Sequence, residues 1–124
     1  MRRRRGLSIL TPEDKLLSTL GLCARARKLV MGTPMVCETL RSGKPPILMV
    51  LEASDTSENT HKKLSDKCAY YQVPLYRLSA DTARLGKAVG KTGAVAAVGV
   101  TDENLCKALI LHLPKGDGNE PADT

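Results

Sequence analysis

The sequence predicts an α/β fold: four strands in a mixed or parallel sheet, with helices on both faces. Three observations lead there. Ile47–Leu51 and Ala94–Val100 are apolar along their whole length, as strands buried on both faces are. Other segments repeat apolar residues every three or four positions, the period of a helix with one buried face. The two patterns alternate from end to end, starting and finishing with a helix, which places helices on both sides of one sheet. At 124 residues the chain is one domain with enough bulk for a core.

The elements follow in order. Residues 1–10, with Arg2–Arg5, read as a flexible basic arm. Pro12 to Ala26 is helical, with Leu16, Leu20 and Cys23 on one face. Leu29–Met31 is a short strand ending at Gly32. Thr33 reads as an N-cap and Pro34 as the first helical residue, where the missing N–H is no loss. That helix runs to Ser42, with Val36, Cys37 and Leu40 inward and Gly43 at its end. Ile47–Leu51 is a central strand. Ser57 to Tyr71 is a helix with Leu64, Cys68 and Tyr71 inward and Lys62, Lys63 and Lys67 outward. Leu75–Leu78 follows Pro74 and places Arg77 between apolar residues, as an edge strand does. Asp81 to Val89 is a short helix closed by Gly90, and Ala94–Val100 is the second central strand. Asp102 caps a last helix reaching Leu113, with Leu105, Leu109 and His112 in register. Residues 114–124, rich in Gly, Pro and acid, read as a disordered tail.

Charge narrows the partner. The chain carries +6; Arg2–Arg5 supply four charges and the tail nets −2, leaving +4 on residues 11–113. A basic body with a basic arm favours a phosphate-rich partner, RNA above all. The segment 21–44 focuses that charge. Arg25, Arg27 and Lys28 precede the strand that leads into the helix opened at Gly32. A helix start exposes unpaired N–H groups and the positive end of its dipole, a setting for anions. There is no Trp or Phe, and Tyr70, Tyr71 and Tyr76 are the only rings. Recognition of RNA shape and backbone is therefore expected rather than a run of stacked bases.

Several classes are disfavoured. Cys23, Cys37, Cys68 and Cys106 are scattered with no CxxC, so they read as small hydrophobes and not as a zinc site. His61 and His112 read as isolated surface residues. Gly6–Leu10 is too short for the apolar core of a secretory signal, and no run approaches the length that spans a membrane. No Gly-rich dinucleotide motif and no Cys–His or Ser–His pairing is visible, so no enzyme activity, cofactor or metal is expected. The expected setting is the cytoplasm, without membrane association.

Four segments carry a resemblance: GLCARARKLVMG (21–32), EASDTSENTHKKLSDKCAYYQVPL (52–75), LGKAVGK (85–91) and AVAAVGVTD (94–102). They resemble the ribosomal-protein superfamily of kink-turn RNA binders, and within it the small bacterial proteins called YlxQ. The resemblance implies a three-layer α/β/α sandwich over 11–113 with a four-stranded mixed sheet. It implies a non-catalytic, ribosome- or translation-associated RNA binder, acting as a monomer on structured RNA such as ribosomal RNA. The helix opened at Gly32 would enter the groove of a kinked duplex beside sheared G·A pairs. The loop Lys91-Thr92-Gly93-Ala94 would cover a bulged nucleotide. Arg27, Lys28, Arg41, Lys87 and Lys91 would position phosphates. The archaeal and eukaryotic pattern of the superfamily, Gly-x-Asn-Glu-x-x-Lys, from which bacterial relatives also vary, reads Gly32-Thr33-Pro34-Met35-Val36-Cys37-Glu38 here. Pro34 replaces Asn, Met35 replaces Glu, and Glu38 replaces Lys with reversed charge. The expectation is weaker kink-turn binding or a different RNA site. A protein-interaction module on the same fold is the alternative, separable by insensitivity to salt.

Overall fold

The computed structural model describes residues 11–113. The expected arm (1–10) and acidic tail (114–124) lie outside the described residues. Among the described residues five helices and four strands alternate: α1 (Pro12–Arg25), β1 (Leu29–Met31), α2 (Thr33–Ser42), β2 (Met49–Glu52), α3 (Glu58–Tyr71), β3 (Leu75–Arg77), α4 (Thr82–Ala88), β4 (Ala97–Val100) and α5 (Glu103–Ile110). The sheet order is β1-β4-β2-β3. β4 runs antiparallel to both β1 and β2, whereas β2 and β3 are parallel, so the sheet is mixed.

The two apolar runs are the two central strands, fully buried on both faces. Side chains alternate across a strand. Met49 and Leu51 of β2 and Val98 and Val100 of β4 join Leu16, Leu20, Leu85 and Leu109 in one cluster under α1, α4 and α5. Val50 and Ala97 point the other way, into a second cluster with Val36, Leu40 and Leu64 of α2 and α3. The result is the expected three-layer sandwich.

Helix starts are chemically specified. Thr11 and Asp14 form a reciprocal capping box at α1, each bond 3.1 Å. Ser57, Asp81 and Asp102 cap α3, α4 and α5 through their side chains. One expected cap is corrected. Thr33 is the first residue of α2 and not its cap; Gly32 holds that place, with φ 92° and no side-chain bond. Only glycine adopts that left-handed geometry freely. Its carbonyl accepts from the Val36 amide at 2.9 Å, the first bond of the helix.

Strand and helix ends differ from expectation where apolar residues are buried without pairing. Ile47 is buried but precedes β2, and Val95 is buried but precedes β4. α5 ends at Ile110, and the chain turns through Leu111–Leu113 with Leu113 buried beneath it. Among the described residues no helix is long and apolar enough to cross a membrane.

Candidate nucleic-acid interface

The directions of the strands decide what meets at each end of the sheet. β1 and β2 finish where β4 begins. That end therefore gathers Gly32 and the start of α2, the segment leading into β4, and the loop from β2 to α3. The Gly32 amide donates to the Ala97 carbonyl at 2.8 Å, which fixes the start of α2 against β4. Met31, Gly32, Thr33 and Pro34 form one wall of a cleft of about 430 Å³, and Lys91 with Gly93–Ala96 forms the other. The two regions singled out in the sequence thus face each other. The Thr33 hydroxyl, on the cleft wall, is buried and has no hydrogen-bond partner among the described residues.

The far wall is held by backbone contact. Gly86 of α4 lies against Gly93. A Cβ at Gly86 would overlap the Gly93 carbonyl oxygen and crowd its carbon at 3.1 Å and the Ala94 Cα at 3.3 Å. The Lys91 amide donates to the Gly86 carbonyl at 2.9 Å, and the Val95 amide to that of Thr82 at 3.0 Å. Lys91, Thr92, Gly93 and Ala94 are all exposed. The wall is a solvent-facing loop on a fixed base.

The remaining candidates are dispersed. Met35 is 54% exposed on the first turn of α2, beside exposed Pro34 and Glu38. Arg41 reaches back to Glu38 at 2.5 Å, so the two exposed charges of α2 answer each other. Lys87 does not face the cleft; with Arg25 it borders a separate depression between α1 and α4. Arg27 and Lys28 lie at the other end of β1 from Gly32, where the Lys28 carbonyl accepts from the Thr101 amide and hydroxyl, both at 3.1 Å. Arg27 makes the turn there with φ 62°.

One cluster was missed. His61, expected as an isolated surface residue, is paired with Glu52. Its Nδ1 lies 2.8 and 3.0 Å from the two carboxylate oxygens, and the Glu52 side chain is wholly buried. The Thr56 hydroxyl donates to the same carboxylate. Arg77 donates to the Ser54 carbonyl at 3.2 Å and to the Thr56 hydroxyl at 3.4 Å. Asp55 then accepts from the Thr82 amide at 2.8 Å, and Thr82 in turn receives Val95. Two separate sets of hydrogen bonds thus hold the loop after β2: one ties it to the buried Glu52, and the other, through Asp55, ties it to the base of the cleft wall. The signal in the sequence was a charged residue ending an otherwise apolar strand, MVLE; its partner, nine residues on, carried no mark.

The profile of the ribosomal protein L7Ae/L30e/S12e/Gadd45 family matches residues 14–110. A Bacillus subtilis (strain 168) protein called RNA-binding protein YlxQ is 42% identical over 91 residues, 73% of this chain and 87% of that one. A protein of the same name from Enterococcus faecium is 37% identical over 94 residues, 76% and 86% of the two chains. The solved structure of a protein of unknown function from Bacillus halodurans superposes with TM-score 0.71 at 37% identity, covering 79% of this chain and 95% of that one. The Giardia lamblia 15.5kD RNA binding protein superposes with TM-score 0.65 at 16% identity, over 79% and 81%, and so shares the fold.

Proposed function

Since this chain belongs to the ribosomal protein L7Ae/L30e/S12e/Gadd45 family, in its YlxQ-like branch, we propose that it is a non-catalytic RNA-binding protein taking structured, kink-turn-like RNA in the cleft beside Gly32. Its setting is the cytoplasm, in ribosome or translation context, as a monomer over 11–113 with a basic arm and an acidic tail. The observation that carries this reading is the cleft itself. A helix start and an exposed loop face each other across about 430 Å³, with Lys91 at the rim and the unpartnered Thr33 hydroxyl in the wall. That arrangement suits a phosphate or sugar edge between two backbone walls. Filter binding of a kinked duplex and a plain duplex across a salt series tests it. The kinked duplex is expected to bind more tightly at about 50 mM salt and to weaken steeply as salt rises. Equal affinity for both duplexes removes the shape-reading claim.

The first turn of α2 sets the strength. Restoring the family pattern with Pro34→Asn, Met35→Glu and Glu38→Lys is expected to raise affinity about tenfold, since one hydrogen bond to a charged group contributes roughly 1.5–3 kcal/mol. The Asn is not expected to improve capping, because Gly32 and not residue 34 is the cap. Glu38→Lys also releases Arg41 from its ion pair. Most of the gain should require tandem sheared G·A pairs. Titration against an RNA with those pairs replaced by Watson–Crick pairs measures the non-specific remainder, and an equal gain there makes the helix start a generic phosphate site.

A protein-interaction module is the second reading. Exposed Met35 beside Pro34, with the local Glu38–Arg41 charges satisfied by each other, is what favours it. Binding to a protein partner that persists at high salt, without RNA binding, would decide for it.

A further inference from the structure

We infer that the outer face of α3 near its C-terminal end holds single-stranded RNA, with one base stacked on Tyr70 and adjacent phosphates met by Lys63 and Lys67. Tyr70 is 78% exposed. Its ring nevertheless has a packing partner. It packs at a right angle to the ring of Tyr71, with centroids 4.8 Å apart and planes at 83°. Tyr71 is half-buried and packs on the cluster that contains Leu64 and Cys68. An exposed aromatic ring braced by its neighbour is thus offered to solvent.

Lys63, Lys67 and Tyr70 follow one another at helical spacing, so they share a face of α3. With Asp66 and Tyr71 they line a shallow depression of about 500 Å³. The Asp66 carboxylate is answered by the Lys62 ammonium at 3.3 Å. Lys63 and Lys67 form no ion pair among the described residues, so the depression keeps a positive excess. A ring flanked by free ammonium groups is the pairing that nucleic-acid single strands use, base on aromatic and phosphate on lysine. The core of a protein interface is depleted in charged residues, whereas three of the five residues lining this depression are charged, which favours a nucleic-acid strand. α3 begins at the cleft end of the sheet, and its 14 residues span about 21 Å, so the two sites are separate.

The probe is a short fluorescein-labelled oligouridylate, which cannot form a kinked duplex, read by anisotropy at about 50 mM salt. The wild-type chain is expected to bind it. Tyr70→Leu should weaken binding by roughly five- to a hundredfold, the loss typical of one stacked base, while Tyr70→Phe stays within about twofold. Lys63→Gln with Lys67→Gln should flatten the salt slope by about 1.4, two single-strand phosphates' worth. Melting temperatures should be unchanged, because these side chains lie at the surface. No binding by the wild type, unchanged binding by Tyr70→Leu, or equal losses in the Leu and Phe variants overturns the inference and leaves the patch to a protein partner. None of those results touches the cleft, and a failure of kinked-duplex binding does not touch this patch.

Discussion

Gly86→Ala is expected to lower the melting temperature by about 15 °C and to abolish binding at the cleft. The added Cβ would occupy the space of the Gly93 carbonyl oxygen, and the groups it meets are backbone atoms that no rotamer change can move aside. Overpacking a close contact typically costs about 1–3 kcal/mol and more when the neighbour is rigid. For a domain near 100 residues, each kcal/mol shifts the midpoint by roughly 4–8 °C. To relieve the clash, the loop 91–96 must leave α4, and with it goes the second wall of the cleft. Gly93→Ala is the contrast. A Cβ there meets nothing within 4 Å, so stability should hold. Thermal melts of the two variants decide the matter; similar midpoints would mean that the two segments are not locked together.

His61→Ala is expected to destabilise the fold by about 2–3 kcal/mol, although the imidazole is 41% exposed. The cost arises at Glu52, whose wholly buried carboxyl group loses the imidazole at 2.8 Å and keeps, among the described residues, the Thr56 hydroxyl. Leaving a buried charge without its partner is costly, whereas replacing both partners by apolar groups is often neutral or better. Glu52→Leu combined with His61→Leu should therefore recover most of the loss. Urea unfolding of the single and double variants completes the cycle. If the double variant is no more stable than His61→Ala, the carboxylate is not the source of the penalty.

What the sequence made legible was governed by period. Ile47–Leu51 and Ala94–Val100 announced central strands because burial on both faces leaves no polar position, and the helical stripes announced their own buried faces. The candidate cleft was legible only as two segments, 32–34 and 91–94, and their opposition follows from strand direction once β4 is antiparallel to β1. The rest depended on facts without a local signature. The cap at α2 fell to Gly32 because the chain turns there at φ 92°, which Thr33 would not tolerate cheaply. His61 looked solitary because its partner belongs to a neighbouring strand. Arg27, Lys28 and Lys87 could be counted as basic, but only the three-dimensional arrangement separates them from the cleft. Tyr70 carried an aromatic signal whose exposure no helical pattern marked.

The burial of the cysteines has a use outside recognition. Cys23, Cys68 and Cys106 lie in the packed interior, and burial raises each thiol, that of Cys68 to about 12. They stay protonated at neutral pH and closed to reagents, since only an accessible thiolate attacks. Cys37, on α2, is partly exposed. An alkylating reagent therefore meets one thiol in the native chain and gains the others only when the layers part. Mass spectrometry of the alkylated chain becomes a clock for opening, with Cys23 and Cys106 timing the α1/α5 layer and Cys68 timing the layer that carries α3.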